Sequence, residues 1–128
     1  MKNDNLVVVL DGVSQLEYRR SAPLDEAQSR YLGRMDARMD QGIVLSGMQI
    51  TAPDALQRAQ FIAMQLLQAV QAGEEPVAAA MLAYLANRMP DMKQVRATTR
   101  GEALSFDLVF DRAYAKEVKV EFVKPGMV

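Results

Sequence analysis

The sequence predicts a single α+β domain of two layers: a mostly antiparallel sheet with about three helices packed on one face. Three observations carry this. Leu6 to Arg19 forms two extended runs around an Asp-Gly pair. The middle of the chain is patterned at helical spacing between glycine and proline stops. The last third returns to strict alternation. Strands at both ends with helices between them place an N-terminal hairpin and a C-terminal three-strand meander in one sheet. At 128 residues, 50% of them hydrophobic, the chain has one domain's length and enough apolar content for a core without staples.

Leu6-Val-Val-Val-Leu10 is apolar on both alternations and reads as a strand covered on both faces. Asp11-Gly12 is a strong hairpin signal, and the return strand to Arg19 puts Leu16 and Tyr18 on one side. Val9-Leu-Asp-Gly12 superficially resembles the first motif of haloacid-dehalogenase-type phosphatases, a strand ending in Asp-x-Asp-Gly. The resemblance implies no phosphatase, because Val9 stands where that family has its nucleophilic aspartate.

Pro23, Asp25 and Glu26 open the first helix near the positive end of its dipole. Leu24, Ala27, Tyr31, Leu32, Met35 and Met39 form its apolar stripe, and Gly42 stops it. Ile43–Leu45 and Met48–Ile50 flank Ser46-Gly47, as a short hairpin or as an extended loop. A second helix runs to about Ala72. Asp54 suits its N-cap, with Thr51 competing, and Gly73 closes it. The interior of this helix carries one charge, Arg58. Glu74-Glu-Pro76 starts a third helix, charge-free to Ala86 and hence expected to be buried on most sides, and Pro90 stops it. Met92–Thr98 and Ala103–Phe110 alternate, as do Val118, Val120 and Phe122.

Composition excludes much chemistry. Neither cysteine nor histidine occurs, so thiolate ligands, disulfides and the common nucleophile–histidine pairs are absent, and no cofactor is implied. The net charge of −1 argues against a general grip on nucleic acid. The N-terminal apolar run is too short for a signal peptide, and no segment is long enough to span a membrane, so the expected location is cytoplasmic.

The sharpest candidate site is the first helix. Arg30, Arg34 and Arg38 recur at four-residue spacing along one flank of its stripe, with Asp25, Asp36 and Asp40 on the other. Like charges at that spacing cost about 0.2–0.5 kcal/mol each, so neutralising partners are expected from strands of the same chain, a second subunit, or an anionic small molecule on the arginine side. Asp36 and Asp40 share a face on which a hard cation needs further oxygens that no spacing supplies. Met35 and Met39 read as core. Arg19, Arg20, Arg96 and Arg100 lack the interleaved aromatics of an RNA platform. Tyr84 reads as core, its hydroxyl bonded to backbone. The second candidate is an interface. Gln57, Gln60, Gln65, Gln68 and Gln71 form an arc of the second helix with Phe61 and Met64 inside it, and Met81 lies on the charge-free third helix. Together with nine methionines in the chain, they describe apolar surface suited to self-association. The functional expectation is a non-catalytic interaction module that forms a homodimer. The alternative is an anion-binding protein, with enzymatic activity in reserve, that uses the arginine row.

Overall fold

The computed structural model describes residues 4–115. Six strands and three helices follow in the order β1 (Asn5–Leu10), β2 (Val13–Arg19), α1 (Glu26–Met39), β3 (Ile43–Leu45), β4 (Met48–Ile50), α2 (Ala55–Ala72), α3 (Glu75–Arg88), β5 (Gln94–Arg100) and β6 (Ala103–Val109). The class is α+β, as the patterning requires. The main sheet has the order β2-β1-β5-β6, so the N-terminal hairpin and the β5–β6 pair do share it. The β1–β2 and β5–β6 pairs are antiparallel. The seam between them is parallel, Val7 opposite Gln94 through Leu10 opposite Ala97, which makes the sheet mixed. The third strand expected around Val118–Phe122 lies outside the described residues.

The doubly apolar β1 is central, and Leu6 to Val9 are all buried. Leu6, Val8, Val95 and Ala97 join the helical core, with Leu16, Tyr18, Leu104, Phe106 and Leu108 packed partly against it. Val7, Val9 and Gln94 take the other face by alternation. Gln94 is the buried polar exception, and both ends of its amide are bonded. Its Nε2 donates to the Arg112 carbonyl at 3.0 Å, and its Oε1 accepts from Arg96 at 2.8 Å. At the β1–β2 turn, Asp11 and Gly12 both have positive φ, the geometry of a two-residue hairpin loop. The Asp11 carboxylate also accepts from the Thr99 hydroxyl and amide at 2.6 and 2.8 Å. Those two bonds hold it below its ordinary pKa and tie the hairpin to β5.

Asp54 is the N-cap of α2, and it forms a reciprocal capping box with Gln57. Asp25 does the same for α1 with Gln28. The inner face of α2 buries Ala59, Ile62, Ala63, Leu66 and Leu67, each large side chain worth about 1.5–3 kcal/mol. α3 packs along α2 and over β2. It is less buried than its lack of charge implies. Met81, Leu82, Tyr84 and Leu85 are inside, but Val77 is 43% exposed, because Ala and Val tolerate water where no neighbour covers them. Residues 43–50 form the hairpin, with Ile43 opposite Ile50. Among the described residues no helix is long and apolar enough to cross a membrane.

Candidate functional site

The two charged flanks of α1 have different fates. Asp25 is engaged at the N-cap. Asp36 turns toward α2 and α3. It accepts from the Tyr84 hydroxyl at 2.6 Å and from Arg88 Nε at 2.9 Å, and lies 3.5 Å from an Arg58 guanidinium nitrogen. Arg58 also donates to the carbonyls of Asp36 and Pro53 and grips the Asp40 carboxylate. The one charge inside α2 is therefore the partner of the acid row. Burial alone raises the Asp36 pKa. The Tyr84 and Arg88 bonds and the two cationic charges outweigh it and hold Asp36 below 3.8. Burial, followed by the Asp36 bond, pushes the Tyr84 hydroxyl well above its ordinary value. The Asp40 bond raises Arg58 further. Tyr84 is thus core, 2% exposed, but its hydroxyl reaches a carboxylate rather than the backbone. Asp36 and Asp40 are occupied by arginine. Among the described residues no group of three or more acidic side chains is placed to hold a metal ion.

The arginine flank has no such partners. Among the described residues no acid pairs with Arg30, Arg34 or Arg38. Arg34 lies over the Tyr31 ring of its own helix, 5.6 Å from the centroid. Arg34 and Arg38 stand at a cleft of about 440 Å³ bounded by α1, the β3–β4 hairpin and α2. Met35 and Met39 line it from α1, Ile43 and Val44 from the hairpin, Phe61 and Ile62 from α2, and Met81 from α3. Two amides, Gln49 and Gln65, complete the wall, and among the described residues no carboxylate lines it. A small volume, an apolar lining and a few polar groups are the usual features of a ligand site. Gly42 shapes the mouth. Its φ is +107°, and a Cβ there would lie 2.9 Å from the Gln49 amide nitrogen and 3.2 Å from the Ile50 carbonyl oxygen, so only glycine lets the hairpin fold back this closely.

The structure therefore brings together residues that the sequence placed in separate candidates. Arg34 and Arg38 share one cleft with Phe61 and Met81. Arg30 lines neither this cleft nor the groove beside it. Each four-residue step advances about 40° round a helix, so three arginines at that spacing spiral and cannot all face one cavity. Met64 and Gln60 turn to a different groove, with Leu45, Leu56, Phe106 and Phe110. Gln57 is engaged in the α2 cap, and Gln68 is exposed. Met81 is buried, so it belongs to the cleft wall and not to an outer surface. The cleft residues that sequence reasoning missed are Gln49, Ile43, Val44 and Ile62, while Gln65 was visible only as a member of the glutamine arc of α2. The signal for the first three was the small apolar hairpin that follows α1.

A second apolar groove lies between α1 and α3, lined by Tyr31 and Ala27 on one side and by Pro76, Val77 and Ala80 on the other. Tyr31 and Arg34 line both cavities and form the ridge between them. The remaining basic residues do not converge on it. Arg96 lies on the far face of the sheet against Gln94. Arg20 reaches the end of α3, donating to the carbonyls of Ala86, Met89 and Met92. No family model, curated protein or solved structure matches the chain, so its function is argued from the geometry of this cleft.

Proposed function

We propose that the chain is a non-catalytic binding protein whose site is the cleft between α1, the β3–β4 hairpin and α2. It takes an amphipathic anion, the apolar part on the methionine and phenylalanine wall and the acidic head at Arg34 and Arg38. One observation supports this above the others: Asp36 and Asp40 are neutralised by Arg58 and Arg88 and Asp25 is engaged at the N-cap, while among the described residues Arg34 and Arg38 stand without acids beside an apolar cavity. Arginine offers a planar fork of donors that matches an oxyanion. Among the described residues the wall holds no carboxylate, histidine or cysteine, and its one hydroxyl is that of Tyr31, which favours binding over turnover.

Anilinonaphthalene sulfonate, an aromatic anion, is a direct probe. Its fluorescence should rise on binding to the folded chain and fall on addition of decanoate, but not of decyltrimethylammonium. Arg34→Glu/Arg38→Glu should weaken the dye at least about thirtyfold, the loss of two charge-assisted contacts, while leaving the melting temperature within a few degrees. Equal dye affinity in the double variant would end this reading.

Self-association is a second reading, favoured by the groove between α1 and α3, where Tyr31 and Val77 are 41% and 43% exposed. Sedimentation at micromolar concentration is expected to give a dimer, and Val77→Glu a monomer. A monomeric parent chain would remove it.

A further inference from the structure

Two amides stand in the same cleft as the two arginines. Gln65 projects from α2, about three turns of helix from the Asp54 cap and beyond its reach, and Gln49 comes from β4. Among the described residues neither side chain has a hydrogen-bond partner, unlike Gln28, Gln57 and Gln94, which are bonded. A carboxamide both donates and accepts, and it reads a group that does the same. The cleft thus presents cations at one helix, neutral donor–acceptors on the opposite helix and the hairpin, and thioether and aliphatic surface elsewhere. A simple fatty acid uses the first and third of these and leaves the amides to water.

We infer that the cleft is specific for an N-acyl amino acid or a close analogue: a carboxylate, an amide next to it and a single apolar tail. This rests on the amphipathic-anion reading above and names its ligand class. The carboxylate meets Arg34 and Arg38. The ligand amide, a few ångströms along, exchanges hydrogen bonds with Gln65 and Gln49. The tail lies on Met35, Met39, Phe61 and Met81, whose flexible thioethers adapt to chains of different length. A volume near 440 Å³ suits one such molecule and is too small for a two-tailed lipid.

The test is displacement of anilinonaphthalene sulfonate by N-octanoylglycine, by decanoate, and by N-octanoylglycine methyl ester, which keeps the amide and lacks the charge. N-octanoylglycine should displace the dye at about a tenth of the decanoate concentration, the effect of a paired amide. Gln65→Leu should abolish that preference and leave decanoate unchanged. Gln65→Glu, which keeps the length of the side chain and adds a charge, should reject both acids, and circular dichroism reports whether either variant is folded. Equal displacement by the two acids in the parent chain, or an unchanged preference in Gln65→Leu, overturns the ligand class and leaves the anion reading standing. Displacement by the methyl ester as good as by the free acid, or by none of the three, overturns both.

Discussion

Replacing Arg20 by methionine is expected to cost the chain about 3 kcal/mol, close to half the stability of a marginal domain, and to lower its melting temperature by roughly 10–15 °C. The reason lies in the end of α3. That helix stops at Met89 without a glycine, and Pro90 follows immediately, so no left-handed cap forms and the Ala86 carbonyl gets no local donor. Arg20, just past the end of β2, supplies one. Its Nε donates to Ala86 at 3.0 Å, and one Nη donates to Met89 at 3.0 Å and Met92 at 2.7 Å. The side chain is only 9% exposed, with a single ion pair at 3.8 Å to Asp4. Burial lowers its pKa even so, a sign that the cation is held by geometry against a desolvation cost. Methionine keeps the packing, leaves the Ala86 and Met92 carbonyls unanswered, and leaves Met89 with the Met92 amide alone. Lysine restores a charge without the planar fork and should recover only part of the loss. Urea unfolding followed by circular dichroism measures it. A loss below about 0.5 kcal/mol would mean that water satisfies those carbonyls.

The second large effect is expected at Asp36. Asp36→Ala leaves Arg58 and Arg88 without their shared acid and the buried Tyr84 hydroxyl without an acceptor, a loss of about 2–3 kcal/mol given that the cluster is partly wet. Tyr84→Phe should cost about 1 kcal/mol, and the double variant less than the sum of the two. The pH dependence has a definite sign. The folded pKa of Asp36 lies below 3.8, so its contribution is fully present above the unfolded value and is lost as pH falls through the folded one. Stability of the parent chain should therefore decline on acidification below about pH 4, and Asp36→Asn should flatten that decline. An acid limb of unchanged slope in Asp36→Asn would assign it to other carboxylates, of which Asp11, also lowered, is the first to examine.

These two residues mark where the sequence was legible and where it was not. Local devices could be read directly: Asp11-Gly12 as a turn, Asp54 and Gly73 as the ends of α2, and β1 as covered on both faces. Each is decided by a few neighbouring residues. The sorting of charges on α1 was equally visible, but its meaning was not. The partners of the acid row lie 18 to 52 positions away, and nothing local marks them. Arg58 carried the one available hint, a lone charge in an otherwise neutral helix. Arg20 carried none, since its carbonyl partners are 66 to 72 positions away and any helix end would have served as well in a sequence reading. The parallel seam was missed for a related reason. Alternation marks a strand's faces and says nothing of its neighbours' direction. The cleft itself was half legible. Arg34, Arg38, Phe61 and Met81 were each singled out, but their meeting depends on how α1 crosses α2.

The parallel seam also sets an order of events during synthesis. β1 is translated well before its second neighbour, β5, which begins at Gln94. At ordinary elongation rates of 5–20 residues per second, roughly 4–17 s pass between them. Through that interval the hairpin of β1 and β2 is a two-stranded ribbon with an apolar strand open along one edge, and such a ribbon is marginal on its own. The helices, whose contacts are local, form and pair first. The domain therefore closes late at its own centre, when β5 arrives to seal a strand made well before it.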